Sequence, residues 1–331
     1  MKRKLIFITF PIIVLLGIYF LGPEPARAKF NPTMPSVPQS PDELEKYVAT
    51  QESKHKIKPD NEARIVWADS TEKKTEYSVV YIHGFYASQE EGDPVHADFA
   101  KKFGCNLYLA RLADHGIDTV DQLINFTIDR GWESAKEALA IGKALGEKVI
   151  LMSTSTGGTL ALALAAEYPQ DVYALINMSP NIRINHPLAF IANDPWGLQI
   201  ARLVRGGKFE VSKSDSLHDR YWYQKFRLEA VTQLQEFLEE KMNADTFEKI
   251  KCPSLTMYYY KNETEQDPTV KVSAMLEMNK QLGTPEDLNE TVAIPNAGGH
   301  VLGSHVSSKD IPAVEAAAEK FAIEKLKMVK K

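Results

Sequence analysis

The sequence predicts an α/β protein: a mostly parallel central sheet flanked by helices, with a helical insertion ahead of its last strands. Three observations carry this. Seven short runs rich in β-branched and aromatic residues read as strands, and most are apolar nearly throughout, which suits strands covered on both faces. Segments with helical spacing of apolar residues lie between them, and such alternation implies parallel pairing through right-handed crossovers. The alternation lapses from Asn181 to Ile250, where helical patterns occur without clear strand patterns.

Taken in order, the chain opens on Met1-Lys2-Arg3-Lys4 and an uncharged run from Leu5 to Leu21, which reads as a targeting segment. Its length fits both the apolar part of a signal peptide and a short membrane-spanning helix. Ala26-Arg27-Ala28 has the small-x-small form of a signal-peptidase site and follows the helix breakers Pro23 and Pro25. Residues 1–28 are therefore expected to be a cleaved signal peptide or an uncleaved transmembrane anchor. Either way the basic residues stay in the cytoplasm and the body of the protein is exported to the cell envelope, anchored or released. Residues 29–39 are rich in Pro and polar residues without a period and read as a linker. Ser40-Pro41-Asp42-Glu43 then offers an N-cap, Pro at the first helical position and Glu at the third, predicting a helix to about Thr50.

The core is expected in two parts, 40–180 and 251–331, around an insertion at 181–250. Its strand-like runs are 63–68, 77–83, 106–110, 148–152, 172–178, 254–260 and 290–294, and helical spacing occupies 94–103, 132–145, 159–168 and 269–282. The insertion includes an amphipathic stretch from Tyr221 to Met242. At 44% hydrophobic and 25% charged, the chain has the composition of a globular protein able to offset its ordering entropy. A formal net charge of −5 supplies no electrostatic reason for a nucleic-acid partner. Cys105 and Cys252 each stand beside a strand-like run and fit small buried hydrophobes better than a disulfide framework, although a bridge between them stays open. No dinucleotide fingerprint, phosphate loop or His-Glu-x-x-His pair is present, so no cofactor or metal is implied.

Chemistry concentrates in a few places. The run 148–152 is followed by Ser153-Thr154-Ser155-Thr156-Gly157-Gly158 and a helix-like segment, which makes a strand, a tight turn and a helix. Acyl transfer at a serine needs the hydroxyl held out of the fold on such a turn, with small neighbours where strand and helix approach. Ser155 is the candidate nucleophile. The Thr156 amide, at the helix N-terminus, is a candidate oxyanion donor. A second buried run ends in His83-Gly84-Phe85-Tyr86, where glycine admits the loop to the nucleophile and Phe85 can supply the second oxyanion amide. His83 itself is read as fixing that loop.

A serine hydroxyl needs a base, and the base a carboxylate. Pro295-Asn296-Ala297-Gly298-Gly299-His300 follows the last strand-like run and presents His300 as base, with His305 as the fallback. The loop from Lys261 to Val270 offers Asp267 as the carboxylate, with Glu263 and Glu265 as competitors. The order Ser155, Asp267, His300 is that of a triad on an α/β-hydrolase sheet. With His83-Gly84-Phe85, Arg111-Leu112-Ala113-Asp114-His115-Gly116, the Ser155 turn, Asn177-Met178-Ser179-Pro180, Asp267-Pro268 and Gly299-His300, the sequence resembles the α/β-hydrolase superfamily over residues 63 to about 325. The resemblance is nearest to the monoacylglycerol lipase, lysophospholipase and serine aminopeptidase-like group.

The resemblance implies that Asp114-His115-Gly116 shapes a loop without catalysing and that the insertion is a lid setting substrate choice. It departs from the family at Ser153, where glycine is usual. Three functions follow as expectations. One is an exported lipase- or esterase-like hydrolase acting on a small-molecule ester or lipid-like substrate, touching the membrane through its N-terminal segment if that is uncleaved. The second is a peptidase with the same triad, using insertion carboxylates among Glu229, Glu236, Glu239 and Glu240 to bind a free amine. The third is a non-catalytic envelope binding protein. The insertion aromatics Phe190, Trp196, Tyr221, Trp222, Tyr223 and Phe226 suit either an apolar pocket or packing within the lid.

Overall fold

The computed structural model describes residues 14, 16–212 and 216–331. Each of the seven strand-like runs contributes one strand to a single sheet: β1 (Arg64–Val66), β2 (Thr75–Ile82), β3 (Asn106–Leu109), β4 (Gly146–Thr154), β5 (Ala174–Met178), β6 (Ser254–Tyr258) and β7 (Asn289–Ala293). Their order across the sheet is β1-β3-β2-β4-β5-β6-β7. Only the edge pair β1–β3 is antiparallel, and every other pair is parallel. Helices cover both faces: α1 (Pro41–Glu52), α2 (Val95–Phe103), α3 (Ile128–Leu145), α4 (Thr156–Glu167), then α5 (Gly197–Arg205) and α6 (Leu228–Lys241) in the insertion, then α7 (Val272–Gln281) and α8 (Ile311–Glu324).

The strands are apolar on both faces because both are buried. In β2, Val80 and Ile82 join the core under α3, α4 and α7, whereas Val79 and Tyr81 join the core under α2 and α8. The alternation repeats in β4, with Val149 and Leu151 on one side and Ile150 and Met152 on the other. Parallel register lines up the carboxyl ends. Ile82 pairs with Ser153, Thr154 with Met178, Met178 with Met257, and Tyr258 with Ala293. The segments leaving β2, β4, β6 and β7 therefore emerge along one edge, where open α/β sheets bind their ligands.

Several expectations are corrected. α3 starts at Ile128, four residues ahead of the expected start, because Thr127 caps it by accepting the Arg130 amide at 3.3 Å. α7 starts at Val272, not Thr269, because the Thr269 and Val270 amides are taken by the Asp267 side chain. Residues 29–39 do not run as a free linker. Phe30, Met34 and Val37 pack on the core, and the carbonyls of Asn31 and Thr33 accept from the buried Lys136 ammonium at 2.8 and 2.7 Å. In the insertion, the stretch from Tyr221 is helical only as the end of Ser216–Tyr221 and again in α6. Between them Lys225–Arg227 pairs antiparallel with Phe209–Val211, a two-stranded element that was not expected.

Most of the apolar N-terminal run lies outside the described residues, and with it the choice between signal and anchor. Among the described residues no helix is long and apolar enough to cross a membrane. Cys105 is buried, Cys252 half-buried, and both are free thiols that burial pushes up to about 12.

Candidate active site

Ser155 occupies the turn between β4 and α4 with φ 54° and ψ −120°, a conformation costly for any residue with a Cβ. The surrounding packing enforces it. The Ser155 amide donates to Met178 O at 3.1 Å, and its carbonyl accepts from the amides of Gly158 and Asn181, both at 2.9 Å. Gly157 cannot be larger: a Cβ there would lie 1.9 Å from the carbonyl oxygen of Ile82. The serine at 153 is accommodated because its hydroxyl donates to Asn177 Oδ1 at 2.8 Å within the sheet.

The loop after β2 comes to the same place. A Cβ on Gly84 would stand 3.0 Å from Ser155 Cβ, so this glycine is what lets the Phe85 segment reach the serine. His83 is fully buried; its Nδ1 bonds Gly84 O at 2.8 Å and its Nε2 accepts the Leu112 amide at 3.1 Å. Burial, together with His115 nearby, holds His83 well below the ordinary imidazole range, so the neutral ring braces the loop. Asp114 is clasped by Arg130 at 2.8 and 3.0 Å, and the His115 Nδ1 bonds Ala113 O at 2.9 Å. These contacts make Asp114-His115-Gly116 a built loop.

Asp267 and His300, from the loops after β6 and β7, meet: His300 Nδ1 bonds Asp267 Oδ2 at 2.7 Å. The other carboxylate oxygen, Oδ1, accepts from Thr269 N at 2.8 Å and Val270 N at 3.0 Å. Burial opposes ionisation of Asp267, but the imidazole and the two amides outweigh it and hold the carboxyl below its usual range. Burial likewise opposes protonation of His300, yet the Asp267 charge and hydrogen bond prevail, with Glu91 adding to them, and the imidazole titrates above its ordinary value. Its Nε2 is buried and has no hydrogen-bond partner among the described residues.

The alternatives go elsewhere. Glu263 accepts from Tyr260 at 2.8 Å and Glu265 from Asn262 at 2.9 Å, both on the exposed hairpin beyond β6. His305 is more than half exposed and bonds Asp93 O through Nδ1 at 3.2 Å, with Glu90 at 3.5 Å from its Nε2. The insertion carboxylates have other partners: Glu229 pairs with Arg202 and Arg227, Glu236 and Glu239 accept from Asn193, and Glu240 lies 3.9 Å from Arg27.

One part of the insertion seats directly on the serine's surroundings. The Tyr223 amide donates to Tyr86 O at 2.8 Å, Phe226 stacks on Tyr86 with centroids 4.8 Å apart, and Phe85 packs edge-on against Phe226 and Phe126. Trp222 forms a small buried cluster with Ala87 and Tyr221, against which Tyr86 from the first loop and Val301 and Val306 from the second pack. Tyr221, Trp222, Tyr223 and Phe226 are thus buried anchors, whereas Phe190 and Trp196 are exposed. Farther along, Ile184, Leu188, Ile191, Ile200, Val204 and Val231 help line an apolar cavity of about 270 Å³. Ile184 bridges to Val270, next to the Asp267 turn. Sequence reading missed Glu91, a buried acid beside Gly84 whose position depends on how the loop after β2 folds back.

Residues 79–314 match the alpha/beta hydrolase family. The chain matches none of the curated proteins with which it was compared. Its fold is similar to the structure reported for LipS and LipT, two metagenome-derived lipolytic enzymes, at 17% identity and TM-score 0.64, covering 80% of this chain and 98% of that one. It is similar to a monoacylglycerol lipase from Paleococcus ferrophilus at 13% identity and TM-score 0.59, covering 79% and 97%. Est1E from Butyrivibrio proteoclasticus, with ferulic acid bound, aligns at 20% identity and TM-score 0.53, covering 80% and 95%.

Proposed function

The chain belongs to the alpha/beta hydrolase family, and on that premise we propose that it is an exported serine hydrolase, lipase- or esterase-like, cleaving carboxylic esters through an acyl-enzyme. The observation that carries this is the single edge of the sheet where Ser155 sits in a strained turn and His300 holds Asp267 at 2.7 Å with Nε2 left unbonded. In this reading Nε2 takes the Ser155 proton as Oγ bonds the acyl carbon. Asp267 keeps the proton on Nδ1 and stabilises the imidazolium. The Phe85 and Thr156 amides hold the oxyanion, the latter at the positive end of α4. His300 then protonates the leaving alcohol oxygen, and water, deprotonated by the same nitrogen, releases the acid.

The insertion serves as the lid. Its apolar cavity, beginning at Ile184 beside the Asp267 turn, suits an acyl chain or another apolar substrate portion. The lipolytic activity named for LipS and LipT and the monoacylglycerol lipase from Paleococcus ferrophilus support an ester or lipid-like substrate. The basic start and apolar run from Leu5 to Leu21 support export to the cell envelope, with the segment either cleaved or kept as an anchor.

The test is turnover of p-nitrophenyl esters from acetate to palmitate by protein lacking the residues before Lys29, beside Ser155→Ala. Wild-type hydrolysis that falls by at least about a thousandfold in the variant supports the reading, because triad members act as a unit. Equal rates in both proteins would overturn it.

A further inference from the structure

Glu91 lies in the single helical turn Gln89–Gly92 that follows the loop carrying Gly84 and Phe85, and it is 3% exposed. Its carboxylate accepts the Gly84 amide, and the Trp222 side chain of the insertion, near enough to act on its charge, favours the ionised form. It also faces the serine. A Cβ built on Gly84 would meet the two carboxylate oxygens of Glu91 at 2.8 and 2.9 Å and Ser155 Cβ at 3.0 Å. The cationic group acting on it is His300, and Tyr81 and Tyr86 are the other titratable side chains that feel its charge. Burial pushes Glu91 up to about 7, against the pull of the Gly84 amide, His300 and Trp222.

We propose that Glu91 is a positioning residue of the active site, one carboxylate that sets the Gly84-Phe85 loop and supports the His300 imidazolium alongside Asp267. The proposal rests on the serine-hydrolase reading above. The physical case is one of placement. A buried carboxylate is retained only where donors and a cation compensate it. Here the donor is the Gly84 amide, which precedes Phe85, and the cation is the imidazolium that forms as Ser155 gives up its proton. Glu91 can therefore act on the reaction through two neighbours without touching substrate. A purely structural acid in this place would be replaceable by glutamine without any effect on His300.

The experiment measures the second-order rate of Ser155 labelling by a fluorophosphonate across pH, for wild type, Glu91→Gln and Glu91→Leu. Glutamine keeps an acceptor for the Gly84 amide and removes the charge. Its rate curve is expected to rise at lower pH than wild type and to level off lower, because His300 has lost one of the charges that favour its protonated form and the imidazolium that forms as Ser155 reacts has lost the same support. Leucine removes the acceptor as well, and labelling is expected to fall at least about tenfold at all pH values, given that one oxyanion donor is worth about 10²–10³ in rate. Superimposed curves for wild type and Glu91→Gln, or full-rate labelling of Glu91→Leu, overturn the proposal. If the variants do not fold, the His300 ring resonances of the wild-type protein decide: two titration steps, one of them belonging to Glu91, support the coupling and a single step overturns it. A wild-type protein that resists the label instead overturns the hydrolase reading itself, an outcome distinct from labelling with superimposed curves.

Discussion

Replacing Asp267 by Asn changes one atom and should remove most of the activity. Asp267 is 1% exposed, so its side chain cannot rearrange into solvent. Oδ1 holds the Thr269 and Val270 amides at 2.8 and 3.0 Å, and Oδ2 faces His300 Nδ1 at 2.7 Å. Two backbone donors fix which end of an asparagine amide goes where: the oxygen stays on them and the NH₂ group turns to the imidazole. Nδ1 must then accept, which places the ring proton on Nε2, where it blocks uptake of the proton from Ser155. A wrong tautomer in a serine triad costs about 10⁴ in turnover, or roughly 5.5 kcal/mol of transition-state stabilisation. The assay is kcat/KM on the best p-nitrophenyl ester for Asp267→Asn, with Glu263→Gln and Glu265→Gln alongside and denaturant unfolding to verify the fold. The two glutamates engage Tyr260 and Asn262 on the exposed hairpin, so their variants should stay within about twofold of wild type, as surface changes do. An Asp267→Asn protein that keeps more than a tenth of wild-type kcat/KM, or a large loss in either glutamate variant, would refute the assignment.

Four further outcomes are expected. Gly157→Ala places a methyl 1.9 Å from the Ile82 carbonyl, a clash with backbone that should cost about 3 kcal/mol or more in urea unfolding. Ser153→Ala removes the donor to Asn177 Oδ1, a contact within the sheet at 2.8 Å, and should cost about 1–3 kcal/mol by the same measurement. Cys105 and Cys252, with thiols pushed up to about 12, should react with Ellman's reagent in two equivalents only after denaturation and migrate identically with and without reductant. Glu91 is raised from its ordinary 4.5 to about 7, so the unfolded chain releases its proton before the folded one and wild type loses stability as pH climbs through that interval. Glu91→Gln escapes this, and its stability relative to wild type should grow between about pH 4.5 and 7 by roughly 3 kcal/mol, read as diverging unfolding midpoints.

The sheet was legible because its strands are buried on both faces. Runs such as Val149 to Met152 and Ala174 to Ile176 are apolar on consecutive residues, a pattern that suits strands covered on both faces, and the glycines at 157 and 158 mark where strand and helix meet. Ser155, Asp267 and His300 were legible for a related reason: each follows a strand, and parallel strands bring their following loops to one edge. What was illegible depended on contacts distant in sequence. Asn31 and Thr33 look like linker residues until Lys136 needs their carbonyls. The pair Phe209–Val211 and Lys225–Arg227 is too short to show alternation, and it exists because Phe226 must turn inward onto Tyr86. Glu91 resembles its neighbour Glu90 in every local respect, and only the fold-back of the loop onto Gly84 distinguishes them.

That fold-back also bears on how substrate choice and chemistry are joined. The carboxyl edge of the sheet holds the proposed reacting groups rigidly: Ser155 is braced through Met178 and Asn181, and Asp267 through two amides. The insertion is bound to the core at many points, among them Thr269, Lys271, Lys58 and the loop from Asp114 to Gln122, and one set of its contacts converges on the proposed oxyanion loop. Tyr223 bonds Tyr86 O, Phe226 stacks on Tyr86 and touches Phe85, and Trp222 belongs to a small cluster with residues of that loop and of the one carrying His300. Under the proposed function, a substrate that shifts the Tyr223–Phe226 part of the insertion shifts, or is resisted by, the same backbone that supplies the Phe85 amide. Because oxyanion donors act through distance and direction, such a coupling turns fit in the insertion into rate at the serine. Under the proposed function the insertion need not carry any catalytic group to discriminate among esters in kcat as well as in KM.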